Sequence, residues 1–406
     1  MTSTTTLSPF TLPESAPAAA RAVFRLMRSL KHGTLDVQLP DGGAVHFGTL
    51  AEGEPRAAVR LRNWNVCGAA LRSGDIGFAE SYIAGDWTTP DLTALLKLFI
   101  TNRDDVEAVV YGSWWGSLLY RVRHLLNRNS RQGSKKNIHA HYDLGNEFYR
   151  LWLDPTMNYS SAWFEGDRSR DMVAAQQAKV QRALRECGVL PGQRVLEIGC
   201  GWGALAECAA REFGAQVTGV TLSNEQLAWA RKRLADAGLA GKLRYQDYRD
   251  IDDGPYDAVA SIEMFEAVGR EYWPGFFATL KRQLKPGGKA CIQSITIRDD
   301  LFERYVKSTD FIQQYIFPGG LLPSPAAFRA AAAEAGLAIV NELDFGLDYA
   351  ETLRRWRERF VGEEVRVRRL GFDTRFMRIW EFYLAYCEAA FATGNTSVMQ
   401  FTLQRG

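Results

Sequence analysis

The residues with the clearest chemical potential lie where an apolar, β-branched run meets a series of glycines. Residues 195–198 form the run, and Gly199, Gly201 and Gly203 follow at alternate positions before a helix-like segment. Glycine has no Cβ, so the turn is tight and a ligand can lie against its backbone. Glu197 precedes the first glycine by two residues, whereas a nicotinamide fingerprint has its acid at the end of the next strand. The pattern therefore indicates a nucleoside cofactor with a cationic end, such as S-adenosylmethionine.

Side chains suited to a nucleoside follow the next two predicted strands. Thr221 lies at a turn and Gln226 in the first helical turn after it, and both can bond sugar hydroxyls. Ser223 between them is equally well explained as a helix N-cap. Asp247 can bond an adenine amino group and Tyr248 can stack on the ring. The structural alternative for this last pair is a capped turn with a packed tyrosine.

A further acid, Glu266, follows the fourth predicted strand, residues 258–261. Open α/β sheets bind ligands at the carboxyl ends of their strands, and Glu266 lies at that edge. The structural alternative is that Glu266 caps a helix or pairs with Arg270. Its position favours a role in the site.

The elements that must position these residues alternate along the chain from residue 139 to its end. Strands are predicted at 195–198, 216–220, 243–246, 258–261 and 290–295, and helices at 204–212, 225–237 and 272–284. This alternation predicts a doubly wound, Rossmann-like α/β fold, with a parallel sheet and helices on both faces.

The 406 residues are too many for one ordinary domain. Residues 1–20 are rich in Thr, Ser, Pro and Ala and indicate a disordered lead-in. Residues 21–112 contain alternating stretches at 35–39 and 44–47 and a helix-like segment at 91–100, which predict a small α+β domain. We expect a linker at 113–138 and a catalytic domain over 139–406.

The predicted linker is basic and aromatic. Trp114 and Trp115 open it, and residues 113–136 contain no acid. One interpretation is a solvated linker with a packing contact between the tryptophans. The other is that its cations approach anionic lipid headgroups while the tryptophans lie at the membrane interface.

Bulk properties limit the class of protein. The formal net charge of +2 argues against a general nucleic-acid binder. The chain has no run of 18 apolar residues that would span a bilayer, and its start lacks a secretion-signal pattern. Its six cysteines show no C-x-x-C spacing, so we expect reduced, mostly buried thiols rather than disulfides or a metal site. These features predict a cytoplasmic protein.

The chain resembles the cyclopropane-fatty-acyl-phospholipid synthase and mycolic acid cyclopropane synthase family. The matching segments are HYDLGN at 141–146, LDPTMNYS at 153–160, the glycine turn, TLS at 221–223, FEAVG at 265–269, YIFPGG at 315–320 and FGLDY at 345–349. GFAESY at 77–82 and Asp86-Trp87 resemble the small N-terminal domain of the phospholipid-acting branch. The resemblance implies a class I methyltransferase that uses S-adenosylmethionine on the double bonds of lipid acyl chains, with a lipid-facing N-terminal domain.

Site residues carried over from the family form two groups. The resemblance implies cofactor contacts from Tyr159, Ser160, Gly199, Gly201, Thr221, Gln226, Asp247 and Tyr248. It places the catalytic centre at Glu266, Tyr349, Ser161, Gln293 and Ile295, which in the family cradle a bicarbonate ion proposed to be the base. The usual residues are a cysteine at 161 and a histidine at 293. Bicarbonate binding is therefore an open expectation, because glutamine cannot take up a proton at neutral pH.

The chemistry adds requirements of its own. Methyl transfer to an alkene leaves a cation that must be stabilised and kept from water, which calls for an aromatic, apolar pocket. The candidates for its lining are Phe265, Tyr305, Phe311, Tyr315, Phe317, Trp356, Phe376, Trp380, Phe382, Tyr383 and Tyr386. All five histidines lie at or before position 141. The resemblance implies that His139 and His141 lie near the cofactor entrance, where we expect them to orient the lid rather than act as the base. The candidates left for the base are a bound bicarbonate, Glu266, or Tyr349 acting through either.

The predicted function is methyl or methylene transfer from S-adenosylmethionine to a cis double bond of a phospholipid acyl chain, forming a cyclopropane. Ser161 and Gln293 motivate two alternatives: the same alkylation ending in a methyl- or methylene-branched chain, and a lipid-binding homologue with weak catalysis. The expected partners are unsaturated phospholipid and the anionic inner face of the membrane, where the protein would associate peripherally. No nucleic acid or metal is expected, and a homodimer is left open.

Overall fold

The chain is divided between two units, residues 1–120 and 121–406. The computed structural model describes residues 12–49, 51–106 and 144–406. The predicted linker at 113–138, together with His139 and His141, lies outside these residues, as do the first 11 residues of the predicted lead-in.

The described residues of the first unit form a four-stranded sheet and three helices. Its elements are α1 (Ala18–Met27), β1 (Gly33–Gln38), β2 (Ala44–Thr49), β3 (Arg56–Leu61), α2 (Asn65–Ala84), β4 (Trp87–Thr88) and α3 (Leu92–Thr101). The strand order is β2-β1-β3-β4, with β1 and β3 parallel and the other pairs antiparallel. The predicted alternation at 35–39 corresponds to β1, where Leu35 and Val37 are buried. Helix α1 begins inside the segment predicted to be a disordered lead-in, and Ala20 there is fully buried.

The second unit alternates strands and helices, as the sequence predicts. Its elements in chain order are α4 (Asn146–Trp152), α5 (Met172–Glu186), β5 (Arg194–Ile198), α6 (Ala204–Glu212), β6 (Gln216–Thr221), α7 (Asn224–Asp236), β7 (Lys242–Tyr245), β8 (Tyr256–Ile262), α8 (Trp273–Gln283), β9 (Leu284–Ile297), α9 (Asp299–Val306), α10 (Phe311–Tyr315), α11 (Pro325–Glu334), β10 (Leu337–Asp344), α12 (Gly346–Gly362), α13 (Glu364–Arg369), α14 (Thr374–Ala392) and β11 (Thr396–Arg405).

These strands form one seven-stranded sheet in the order β10-β11-β9-β8-β5-β6-β7. Strands β7, β6, β5, β8 and β9 pair in parallel, which confirms the doubly wound α/β class. The sheet is mixed rather than wholly parallel, because β11 inserts between β9 and β10 and runs antiparallel to both. The order reverses around β5, so β5, β6 and β8 end together at the edge where ligands bind in such folds.

Each face of the sheet has its own apolar core. Along β5, Leu196 faces one core with Phe276 and Phe277 of α8, and Val195 faces the other with Ala206 of α6. Successive strand residues point to opposite faces, so an almost continuous apolar run is buried on both sides. Packing against both cores fixes β5, the strand that ends in the glycine turn.

The cysteines are mostly buried, as the sequence predicts. All six thiols are free; four are buried and two are half-buried. Within the described ranges, no helix has the length and apolar character needed to cross a membrane.

Candidate active site

The glycine turn after β5 has left-handed backbone at each glycine, with φ of +85° at Gly199, +48° at Gly201 and +84° at Gly203. A Cβ at Gly203 would lie 2.8 Å from the Cβ of Ala230, so this glycine lets α6 pack closely on α7. A Cβ at Gly201 would have no neighbour within 4 Å, because that position opens into a cavity. The turn therefore combines one packing glycine with one that leaves room for a ligand.

The cavity beside the turn has a volume of about 340 Å³. All nine residues predicted to contact the cofactor line it, namely Tyr159, Ser160, Glu197, Gly199, Gly201, Thr221, Gln226, Asp247 and Tyr248. They come from the ends of β5 and β6, the segment after β7 and the segment after α4, which the fold brings to one edge of the sheet. The structure thus brings the predicted cofactor residues together around one space.

Glu197 is the acid closest to the turn, and it is 4% exposed. Burial raises the pKa of its carboxyl well above the usual range. Its Oε2 atom has no hydrogen-bond partner among the described residues. A buried, unpartnered carboxylate oxygen on a cavity wall suits a cationic group such as the ammonium of S-adenosylmethionine.

The residues predicted to bind the ribose and the adenine already form hydrogen bonds with nearby residues of the chain. Thr221 donates to Oε1 of Gln226 at 3.2 Å, and Ser223 accepts from the backbone of Gln226 as the N-cap of α7. Asp247 accepts two side-chain bonds from Arg249, at 2.8 and 2.6 Å. Its Oδ1 also accepts from the backbone N–H of Arg249 at 3.0 Å, so much of the acceptor capacity of Asp247 is already used within this turn.

A second cluster surrounds Glu263, directly after β8, a residue that the sequence analysis did not single out. Its Oε1 accepts from the backbone N–H of Ser161 and from the side-chain amide of Gln293, both at 2.8 Å. Its Oε2 accepts from the hydroxyl of Tyr349 at 2.7 Å. Glu263 has a φ of +49°, which is rare outside glycine and concentrates at functional sites. Three donors from distant parts of the chain therefore hold one carboxylate on the cavity wall.

Glu266 lies next to this cluster. Its Oε1 accepts from the backbone N–H of Ile295, and its Oε2 has no partner within the part of the chain that the structure covers. The structural alternative of a pair with Arg270 is wrong, since Arg270 lies 3.8 Å from Glu303 instead. Burial raises the pKa of Glu266 to about 8, and the charge of Glu263 adds to the rise.

The surroundings of the two carboxyls differ in how well they stabilise a negative charge. Burial also raises the pKa of Glu263, but the charge of Lys179 and the three donors oppose that rise. Two close, buried carboxyls do not both ionise readily, and the one with more donors ionises first. The three donors and the charge of Lys179 therefore favour the ionised form of Glu263, whereas burial and the charge of Glu263 favour the neutral form of Glu266.

The five residues implied to cradle bicarbonate do not leave their donors free for it. Ser161, Gln293 and Tyr349 donate to Glu263, and Ile295 donates to Glu266. Ser161 and Gln293 are fully buried behind Glu263. A side-chain carboxylate thus receives the bonds expected for the ion, and the arrangement does not fit bicarbonate.

Aromatic side chains enclose the rest of the cavity. Of the predicted lining residues, Tyr305, Phe317, Tyr383 and Tyr386 reach its wall. The other seven are not among its lining residues; Phe265, for example, lies in the apolar core against Trp273. Sequence alone does not separate these groups, because both lie on elements with the same apolar periodicity.

A signal for Glu263 was present in the sequence. It follows an apolar strand directly and precedes Glu266 by three residues, so two acids end one buried strand. The family motif in this region is FEAVG at 265–269, which does not include Glu263. Lys179, in the middle of α5, gave no comparable signal, because it lies in an ordinary amphipathic pattern.

Comparison with known proteins places this site in context. The family model described as mycolic acid cyclopropane synthetase matches residues 129–401. The chain is 40% identical to the tuberculostearic acid methyltransferase UfaA1 of Mycobacterium tuberculosis over 404 residues, covering 97% of this chain and 93% of that protein. It is 33% identical to the cyclopropane-fatty-acyl-phospholipid synthase of Escherichia coli over 361 residues, covering 88% and 91%.

A solved structure with a similar fold is the mycolic acid cyclopropane synthase CmaA1, crystallised with SAH and CTAB. The TM-score is 0.63 at 32% identity, and the match covers 67% of this chain and 98% of that one.

Proposed function

This chain belongs to the mycolic acid cyclopropane synthetase family, and we propose that it methylates a cis double bond in the acyl chain of an unsaturated phospholipid. It is an S-adenosylmethionine-dependent C-methyltransferase that acts on lipid acyl chains. The proposal adds the phospholipid, the double bond and the way in which the reaction ends.

One observation carries the proposal: three hydrogen bonds fix the carboxyl of Glu263 on the wall of an aromatic cavity that also contains the glycine turn. Alkylation of an alkene needs a methyl donor, a water-poor space and a base, and these three features meet there. A methyltransferase for an amine or hydroxyl would not need a base so deeply buried.

Residues of this chain supply most of the mechanism. Glu197 and the open turn at Gly201 would hold S-adenosylmethionine, which when bound supplies an electrophilic methyl group. The methyl carbon bonds to one alkene carbon as its bond to sulfur breaks, which leaves a positive charge on the other alkene carbon. Rings such as Phe317 and Tyr383 exclude water and attract that charge, an effect worth about 2 kcal/mol when desolvated.

Proton removal completes the reaction. We assign the proton to Glu263, because its three donors and the charge of Lys179 favour its ionised form, whereas burial favours the neutral form of its neighbour Glu266. If the proton leaves the new methyl group, its C–H electrons form the third ring bond and give a cyclopropane. The sulfonium charge is thereby released as one proton, so atoms and charge balance. The cyclopropane is the product that we propose.

A second product is supported by a specific observation. A base fixed in the protein chain can reach fewer positions than a small ion, and here it is Glu263 rather than bicarbonate. Placed beside a chain carbon, it would take a proton there, and the electrons of that C–H bond would form a double bond in the chain next to a methyl branch. UfaA1, 40% identical to this chain, is named as a tuberculostearic acid methyltransferase rather than as a cyclopropane synthase. The two candidates share every step before proton removal.

We also propose that the protein meets its lipid at the anionic inner face of a membrane. The charge of residues 113–138 supports this, since cations without neighbouring acids favour anionic headgroups. We also propose that residues 21–112 face the lipid and that residues 139–406 carry out the catalysis. A homodimer is a further proposal. The alternative of a lipid-binding homologue with weak catalysis has no support from the ordered carboxyl pair.

The test is incubation of the purified protein with methyl-labelled S-adenosylmethionine and phospholipid vesicles. Label should enter the acyl chains of unsaturated vesicles but not those of saturated ones. Proton NMR of the product then separates a cyclopropane from a methyl-branched alkene, which mass alone cannot do. Absence of label from the unsaturated chains would refute the function, and ring protons would exclude the branched product.

A further inference from the structure

A buried lysine behind the carboxyl pair has no role in the mechanism so far. Lys179 lies in the middle of α5 and is 0% exposed, which is rare for lysine without a specific reason. Its Nζ donates to the hydroxyl of Ser160 at 2.5 Å. Ser160 is one of the cavity-lining residues predicted to contact the cofactor, so the lysine supports the cavity wall from behind.

Hydrogen bonds run from Lys179 to Glu263 by two routes. Along the first, Nζ bonds Ser160, and the next residue, Ser161, donates its backbone N–H to Glu263. This first route therefore runs along the chain segment whose Tyr159 and Ser160 line the cavity.

The second route starts at the backbone of the same lysine. The side-chain amide of Gln400 donates to the carbonyl of Lys179 at 3.1 Å and to Oε1 of Gln293 at 3.0 Å. Gln293 in turn donates to Glu263 at 2.8 Å. The two routes close a ring of buried hydrogen bonds with Lys179 on one side and the Glu263 carboxylate on the other.

Charge links the same two groups. Burial lowers the pKa of Lys179 to about 8, against the opposing influence of Glu263, Asp154 and Glu197. The amine is therefore still protonated at neutral pH. In return, its charge is the largest influence that opposes the burial-driven rise in the pKa of Glu263. A buried cation paired with buried anions stabilises each charge that would otherwise be costly.

We propose that Lys179 is a positioning residue that keeps Glu263 ionised and oriented toward the cavity. This inference rests on the proposed function, in which Glu263 takes the proton. Lys179 does not touch the reacting atoms; it acts through Ser160 and through the charge that it places behind the carboxylate. Lys179 also couples the cofactor wall to the base, because one route starts at its ammonium group and the other at its backbone carbonyl.

The first experiment compares the wild type with Lys179→Met and with Arg185→Met, a matched loss of an exposed cation from the same helix. Infrared titration of the unliganded protein, with Glu263→Gln as the reference, identifies the Glu263 carboxyl. We expect Lys179→Met to move its titration to higher pH by about one unit or more, and Arg185→Met to leave it unchanged. Unchanged titration in a folded Lys179→Met protein would overturn the proposal.

Activity provides a second readout. Label transfer at neutral pH should fall about tenfold or more in Lys179→Met, with the acidic limb of the pH–rate profile moved upward and the limb restored by Lys179→Arg. A uniform loss at every pH would mark a merely structural role and count against the proposal. If the wild type transfers no label but the infrared shift is seen, the proposed function fails while the link between the two charges stands.

A third measurement does not depend on the folding of Lys179→Met. Linkage is reciprocal, so removal of the Glu263 charge must lower the pKa of Lys179 by as much as Lys179 lowers that of Glu263. NMR of side-chain-labelled lysine should show the Lys179 titration about one unit lower in Glu263→Gln than in the wild type. An equal pKa in the two proteins would overturn the proposal.

Discussion

The hydroxyl of Tyr349 donates a hydrogen bond of 2.7 Å to Oε2 of Glu263. Tyr349 lies in the first turn of α12 and Glu263 at the end of β8, so a contact between distant elements fixes the carboxylate. Burial and the Glu263 charge raise the pKa of the Tyr349 phenol well above its usual range. The phenol therefore remains protonated and acts as a donor at any pH at which the protein would work.

Tyr349→Phe should slow methyl transfer without unfolding the protein. A hydrogen bond to a charged group contributes about 1.5 to 3 kcal/mol, which corresponds to a loss of about 10- to 100-fold in rate. Loss of the donor also raises the pKa of Glu263, so the acidic limb of the pH–rate profile should move upward. Label transfer measured across pH tests both effects. An unchanged rate and an unchanged pH–rate profile would show that Tyr349 does not help to hold the base.

The glycine turn allows a matched pair of substitutions. Gly203→Ala places a methyl group against Ala230 and should lower the melting temperature clearly, because α6 and α7 must separate. Gly201→Ala meets no neighbour, so it should cost only the strain of a left-handed alanine, about 1 kcal/mol.

The same Gly201→Ala protein should lose cofactor affinity, because its methyl group projects into the cavity. We expect S-adenosylhomocysteine to bind about tenfold more weakly or worse, measured by calorimetry beside thermal melts of both variants. Equal affinity in Gly201→Ala and the wild type would show that the cofactor does not approach this glycine.

Local pattern was sufficient for much of the fold. Helix α6 has the bounds predicted for it, and the predicted strand at 195–198 is β5 without its first residue. The antiparallel β11 was not predicted, because its place between β9 and β10 depends on contacts with strands far away in sequence.

The candidate site was also only partly predictable from the sequence. Residues in motifs such as the glycine turn could be placed from sequence, since their spacing itself makes the geometry. The role of Glu263 could not, because its donors Ser161, Gln293 and Tyr349 converge only after the chain has folded. Motif matching named those donors correctly as one cluster but did not identify the group that they bind.

Glu266 should make stability depend on pH. Its pKa rises from 4.5 to about 8 on folding, so the folded state favours the neutral carboxyl. Its contribution to stability is fully present below about pH 4.5 and is lost as the pH rises through 8. Glu266→Gln keeps an acceptor for the Ile295 N–H and removes the titration.

The Glu266→Gln protein should therefore be more stable than the wild type at pH 8, by about 2 to 4 kcal/mol, and similar at the acidic end. Denaturant unfolding across this range gives the difference directly. Parallel curves for the two proteins would mean that Glu266 ionises normally in the fold and would also remove the reason for assigning the proton to Glu263.

The final prediction concerns the space that the Glu263 side chain fills. Glu263→Gly removes the carboxylate, relieves a left-handed backbone and leaves three donors facing a gap of carboxylate size. We expect label transfer to fall about 100-fold or more, because the carboxylate proposed as the base is lost. Added bicarbonate or formate should restore part of the activity in a saturable way, since either anion can accept the same bonds. Glu263→Gln is the matched control: its amide fills the gap and should block rescue. Equal rescue of both variants, or of neither, would show that the three donors do not form the site of the base.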